Sequence, residues 1–190
     1  RGRVVCPGLI DLCARPREPG LEHKATIASE TRAAAAAGIT TLVCPPDTDP
    51  VIDEPAVVEL IRRRAAAAGH ARVLTLGALT HRLRGERLAE MAALKEAGCV
   101  GVGDGGRPIA NTRVLRRALE YAATFDLTAF LTPLDPELGS GLAHEGQVAT
   151  RLGLPGIPAA AETGVIARDL ELVRDIGVRV HFGRLSCARS

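Results

Sequence analysis

The strongest constraint on this chain is a repeated alternation. Short apolar runs alternate with longer helix-like stretches, and most of those stretches stop at a glycine. Apolar strand-like runs are read at residues 4–10, 40–44, 72–79, 100–102, 127–131 and 178–182. Between them, residues 22–37, 53–68, 86–97, 111–124, 144–152 and 159–176 read as helices, with Gly38, Gly69, Gly98, Gly153 and Gly177 as stops and Asp53 and Asn111 as caps. A polar cap before a helix and a glycine after it are the expected boundary signals. Short apolar strands alternating with helices predict parallel βαβ units, since only a strand covered on both faces is apolar throughout. Such units close into a (β/α)8 barrel or stack as a doubly wound sheet of the flavodoxin type.

Six strands are legible where a barrel needs eight, and a full barrel takes about 250 residues. With 190 residues, and with Arg1-Gly2-Arg3 reading like the interior of a longer chain, the expectation is an incomplete barrel of about six β/α units. No low-complexity linker interrupts residues 1–190, so one domain is expected.

Composition narrows the function classes. Hydrophobic residues are 46% and charged ones 24%, which excludes intrinsic disorder. The net charge of +2 gives no case for nucleic acid or an anionic membrane. Trp is absent and the aromatics are Tyr121, Phe125, Phe130 and Phe182, too few for a base-stacking surface. No apolar run is long enough to span a bilayer, and no signal peptide is read at the start. Cys6, Cys13, Cys44, Cys99 and Cys187 show neither CxxC spacing nor an even count. Free thiols in a reducing cytoplasm are therefore expected.

In folds of this kind chemistry gathers at the carboxyl ends of the strands. Those positions hold 11–20 after the first strand, 44–50 after the second, 103–108 after the fourth, 132–137 after the fifth and 181–186 after the sixth. The glycines at 103–106 lack the spacing and the lysine of a phosphate loop.

These residues carry a resemblance. Pro7-Gly8-Leu9-Ile10-Asp11-Leu12, followed by Arg17-Glu18-Pro19-Gly20 and Glu22-His23-Lys24, resembles the opening of dihydroorotases in the cyclic amidohydrolase superfamily. The segment Arg151-Leu152-Gly153-Leu154-Pro155-Gly156-Ile157-Pro158, and Val180-His181 with Leu185-Ser186, are similar to later stretches of the same enzymes. The resemblance runs through essentially the whole chain, in order. It implies a (β/α)8 TIM barrel of the amidohydrolase type and a zinc-dependent enzyme that closes carbamoyl aspartate to dihydroorotate.

The departures from that pattern are specific. The family's His-x-His at the end of strand one falls on Cys13 and Arg15. Its fifth-strand histidine falls on Thr132 and its sixth-strand metal histidine on Arg184, while His181 matches a histidine that is not a ligand. One acid of the strand-four Asp-Asp-Gly loop survives as Asp104. Arg17 matches the substrate-carboxylate arginine, and the asparagine of Pro-Asn-Thr is replaced by Asp47, so Arg17 and Asp47 are the vestigial substrate-binding candidates. The family's catalytic aspartate lies on a later strand than this chain contains. A guanidinium has no lone pair to give and repels a dication. Without the metal, no hydroxide forms at neutral pH. No zinc, no other cofactor and no catalytic residue are therefore expected. Arg15 and Arg184 are expected to turn towards carboxylates such as Asp11 and Asp104. Asp11 with Cys13 keeps a period-two geometry that suits either a metal or a carboxylate bonded to backbone.

The preferred reading is a degenerate dihydroorotase of pyrimidine biosynthesis, cytoplasmic, that serves as an assembly subunit. The resemblance implies aspartate transcarbamoylase as partner, in a homodimer or a larger assembly. Arginine anchors are expected at Arg62, Arg63 and Arg64 or at Arg113, Arg116 and Arg117, each of which also suits a solvated helix face. Two other readings stand beside it. One is an active zinc-dependent cyclic amidohydrolase, of the dihydroorotase, hydantoinase or allantoinase type, with a rebuilt metal site. The other is a metal-free sensor of a small carboxylate.

Overall fold

The computed structural model describes residues 4–190; Arg1, Gly2 and Arg3 lie outside the described residues. In chain order the elements are β1 (Leu9–Asp11), α1 (Ile27–Ala36), β2 (Ile39–Cys44), α2 (Pro55–Ala68), β3 (Arg72–Ala78), α3 (Met91–Glu96), β4 (Gly101–Gly103), α4 (Thr112–Thr124), β5 (Thr128–Leu131), β6 (Ala143–His144), α5 (Gln147–Arg151), β7 (Gly156–Ile157), α6 (Ala160–Ile176) and β8 (Val180–Phe182).

Six strands form one sheet in the order β1-β2-β3-β4-β5-β8, and every pairing in it is parallel. The order never reverses. A doubly wound sheet of the flavodoxin type has a switch point where it does, so the flavodoxin alternative is excluded. Successive helices pack on one another, α1 on α2, α2 on α3 and α4 on α6. That is the winding of a (β/α) barrel.

Local chemistry explains several boundaries. Asn111 caps α4 by accepting from the N–H groups of Arg113 and Val114, at 3.0 and 3.3 Å. Gly69 and Gly177 end α2 and α6 with φ of 67° and 75°, a conformation a Cβ disfavours. α1 starts at residue 27 rather than 22, because Thr26 and Ser29 form a capping box there. The stretch before it stays out of the helix because Glu18 accepts from the Ile27 N–H at 2.6 Å and pairs with Arg64 at 2.7 Å. α3 is also shorter than its sequence pattern, since Thr80 and Leu88 make an antiparallel bridge across the preceding loop. The two-residue pair β6 and β7 is a feature the helical reading of 144–152 did not contain: Ala143 pairs with Gly156 and His144 with Ile157.

The main core lies between β3–β5 and the helices. Leu79, Met91, Val102, Leu115, Leu119 and Leu127 are all buried there. A second cluster joins Ile27, Ile52, Val58, Ile61 and Leu94 under α1 and α2. On β5, Ala129 and Leu131 face the helical layer, which leaves Phe130 on the opposite side, paired in register with His181 of β8. That opposite side, at the carboxyl ends of the strands, holds the site described next.

Candidate functional site

A cavity of about 130 Å³ opens at the strand ends. Cys13, Arg15, Asp104, Thr132, His181 and Arg184 all reach it, and Leu12, Leu76 and Phe130 form its apolar wall. The four positions that match the family's histidine ligands therefore converge, although they are up to 171 residues apart in sequence.

Arg15 follows the end of β1 and turns towards the loop after β2. Its Nε donates to Asp47 Oδ2 at 2.7 Å, and its Nη1 donates to Cys13 Sγ at 3.3 Å. Burial pulls the Arg15 guanidinium down, but the hydrogen bond to Asp47 and the charge of Asp47, with the hydrogen bond to Cys13, outweigh it and hold Arg15 above its ordinary value. It stays a cation. Asp47, rather than Asp11 or Asp104, is thus its partner. Asp11 instead accepts from the Cys13 N–H at 2.8 Å, the backbone-bonded arrangement.

Asp104 ends β4 and is 4% exposed. Its Oδ1 accepts from the Gly106 N–H at 2.7 Å and from Thr132 Oγ1 at 3.1 Å, and its Oδ2 accepts from the Thr132 N–H at 2.6 Å. Burial pushes its carboxyl above the ordinary value, against the opposing pull of Thr132, Gly106 and the charge of Arg184. Asp104 therefore ties the ends of β4 and β5 together.

Arg184, just beyond β8, has a φ of 62°, unusual for a residue with a side chain. Its guanidinium and that of Arg15 flank Gly106, where an added Cβ would stand 2.6 Å from Arg184 Nη1 and 3.7 Å from Arg15 Nη2. His181 packs its ring on Phe130, 5.0 Å apart at 42°.

The donor set does not fit zinc. Among the described residues no three of His, Cys, Asp and Glu come together as a metal cluster. Two cations face the cavity, and the oxygens of Asp104 are committed to Thr132 and Gly106. Burial, with Asp47 nearby, pushes the Cys44 thiol up to about 12, so it offers no thiolate.

Arg17 and Asp47 fall outside this cavity. They share a neighbouring depression of about 20 Å³, room for roughly one water. Five of the six arginines in the two helix clusters are engaged within the chain; Arg113 is exposed and has no ion pair among the described residues. Arg62 and Arg63 pair with Glu59, Arg64 with Glu18 and Glu22, Arg116 with Glu120 and Asp175, and Arg117 with Glu120. No helix among the described residues is long and apolar enough to cross a membrane.

One residue beside the site escaped the sequence reading. Glu162, in the first turn of α6 and 5% exposed, accepts from Ser186 N and Oγ, both at 2.8 Å, and from Cys187 N at 3.0 Å. Burial alone would raise its carboxyl, but the hydrogen bonds from Ser190, Cys187 and Ser186 prevail and hold it at about 2. An acid in a first helical turn was the only local signal, and its partners lie 24 and 25 residues away.

Comparison with known proteins agrees with this geometry. Residues 2–190 match the family model described as dihydro-orotase-like. A "Dihydroorotase-like protein" of Pseudomonas aeruginosa is 55% identical over 99% of this chain and 45% of its own length. A "Dihydroorotase" of Syntrophobacter fumaroxidans is 50% identical over 97% of this chain and 42% of its own length. The chain thus spans less than half the length of these relatives. Among solved structures, the L-hydantoinase of Arthrobacter aurescens superposes with a TM-score of 0.71 at 18% identity, over 92% of this chain and 40% of that one. The dihydroorotase of Saccharomyces cerevisiae gives 0.63 at 14%, over 94% and 48%. These superpositions establish the fold, part of a (β/α)8 barrel, and the sequence matches establish the family: the chain belongs to the dihydroorotase-like family.

Proposed function

We propose that this chain is part of a non-catalytic dihydroorotase-like barrel, a structural subunit that associates with aspartate transcarbamoylase in pyrimidine biosynthesis. The observation that carries the reading is the pair Arg15 and Arg184 lining the strand-end cavity, with Cys13 and Thr132 beside them, where the family's zinc ligands would converge. Two guanidiniums there oppose a dication and supply no hydroxide. A barrel without that chemistry keeps a selectable role through association. The name of the Pseudomonas aeruginosa relative, "Dihydroorotase-like protein", is in keeping with this.

Co-expression with the transcarbamoylase of the same organism tests it. The two are expected to elute as one large species in size exclusion at physiological salt. Separate elution, with a transcarbamoylase fully active alone, overturns the reading.

The name "Dihydroorotase" on relatives 47–50% identical favours a second reading, an active cyclic amidohydrolase with a rebuilt metal site. Metal content and turnover separate the two. The purified protein is expected to hold no stoichiometric zinc and to form no dihydroorotate above background. Stoichiometric zinc that is lost on Cys13→Ala, together with turnover, would establish the second reading.

A further inference from the structure

We propose that the two loops following β3 and β4 form the face of this chain that receives a protein partner, and that the partner's surface there is acidic. Arg82, Arg84, Arg87, Arg107 and Arg113 are its anchors. The inference rests on the association reading above and adds the place and the charge of the contact.

These five arginines are exposed, and none makes an ion pair among the described residues. Exposure alone does not account for that. Arg62, Arg63, Arg116, Arg117, Arg174 and Arg179 have side chains 52% to 78% exposed, and each pairs with a carboxylate. Arg32, Arg72 and Arg151 also lack one, but each is the single arginine of its element. Arg17, Arg184 and Arg189 follow the edge strands β1 and β8. Only after β3 and β4 do unpaired arginines gather.

Little acid compensates them. On the same loops Asp104 is buried and bonded to Thr132 and Gly106, and Glu90 accepts from the Tyr121 hydroxyl at 3.5 Å. That leaves Glu86 against five cations. Arg113 stands in the first turn of α4, where the helix dipole favours an anion, and no acid occupies that turn.

The two loops make one surface. A Cβ on Gly105 would stand 2.9 Å from Leu83 Cδ1, and one on Gly85 would touch Ile109 at 3.9 Å. The first loop is firmly held. Asp53 Oδ2 accepts from His81 Nδ1 and from the Arg82 N–H, both at 2.8 Å, and Thr80 Oγ1 accepts from the Gly85 N–H at 3.1 Å. Arg82 and Leu83 hold successive left-handed φ values of 54° and 56°, which residues with side chains disfavour. Leu83 is buried while its neighbours Arg82 and Arg84 are exposed. Side chains mounted on a loop already fixed lose less freedom on binding. β3 and β4 are also the middle strands of the sheet, so any strand that extends it joins two strands away, at β1 or β8.

An acidic protein fits this face better than a phosphate polyanion. The net charge is only +2, and the loops carry no aromatic ring on which a base could stack. A guanidinium grips a carboxylate with a two-pronged fork, and arginine is enriched among the anchors of protein interfaces.

The affinity of the full-length protein for the transcarbamoylase of the same organism, measured by surface plasmon resonance, is the test. The parent is expected to bind at least about tenfold more weakly at about 0.5 M salt than at about 0.05 M. A variant with Arg84→Gln, Arg87→Gln and Arg107→Gln is expected to lose about thirtyfold or more at low salt, with an unchanged melting temperature. A variant with Arg62→Gln and Arg63→Gln, whose guanidiniums already pair with Glu59, is expected to bind like the parent. If the triple variant does not fold, Arg107→Glu alone carries the test, with an expected loss of about tenfold. A triple variant that binds like the parent, or an α2 variant that loses as much, overturns the inference and leaves the association reading standing. A parent that does not bind the transcarbamoylase overturns both. Binding to duplex DNA or phosphatidylserine vesicles in place of the protein, lost in the triple variant, overturns the acidic protein in favour of a phosphate-bearing partner.

Discussion

Replacing Asp104 with alanine is expected to destabilise the protein by roughly 3 kcal/mol. Three donors lose their acceptor: the N–H groups of Gly106 and Thr132 and the hydroxyl of Thr132. Each such bond contributes about 1 kcal/mol net, and a buried donor left without a partner costs about 1–3 kcal/mol. Removing a buried charge returns part of this, because burial holds the Asp104 carboxyl above its ordinary value. The sign of its pH dependence follows. A carboxyl raised by folding favours the folded state most when it is protonated. Its contribution is therefore full below the ordinary value of 3.8 and falls as pH rises through the raised one. Urea melts of the two proteins across this range measure both effects. A variant that melts within about 0.5 kcal/mol of the parent at neutral pH, the size of an ordinary surface change, would show that Asp104 does not fasten β4 to β5.

Glu162→Gln acts in the opposite direction on the pH axis. Hydrogen bonds hold the Glu162 carboxyl at about 2, below its ordinary 4.5. Its stabilisation is therefore present above about 4.5 and lost as pH falls towards 2. At about 1.4 kcal/mol per pH unit, and allowing for solvent screening near the surface, the effect is on the order of 2 kcal/mol. The amide of glutamine keeps one acceptor oxygen but turns its NH2 towards the N–H of either Ser186 or Cys187. Most of the loss should be local, because the bonds tie only the segment beyond β8 to α6. Faster cleavage within residues 183–190 in limited proteolysis at pH 7, and a flatter acid limb in thermal melts, are the expected results. An unchanged cleavage rate would mean that Glu162 does not anchor this segment.

These two carboxylates also mark where sequence reasoning stopped. Asp104 was legible as the surviving acid of a strand-four loop, but its bonds to Thr132 span 28 residues and depend on the register of β4 against β5. Glu162 had no strand-end position to betray it. Arg15 was expected near a carboxylate and is near one, yet the carboxylate is Asp47, one of the two positions matched to substrate binding, rather than Asp11 or Asp104. Arg17 shares with Asp47 a depression of about 20 Å³ beside the cavity and does not line the cavity itself.

The chain's own pattern determined the class of fold. Strands, helices and stops are local statements, set by apolar period, caps such as Asn111 and left-handed glycines such as Gly69 and Gly177. The matched ligand positions were equally readable, because a residue's identity needs no coordinates. Only the tertiary structure decided the order of the sheet, the β6–β7 pair, the early break before α1 and the convergence of Cys13, Arg15, Thr132 and Arg184 on one cavity. Those outcomes depend on hydrogen bonds and ion pairs between residues tens of positions apart. Their energies are comparable to the local preferences they override, and no local pattern encodes them.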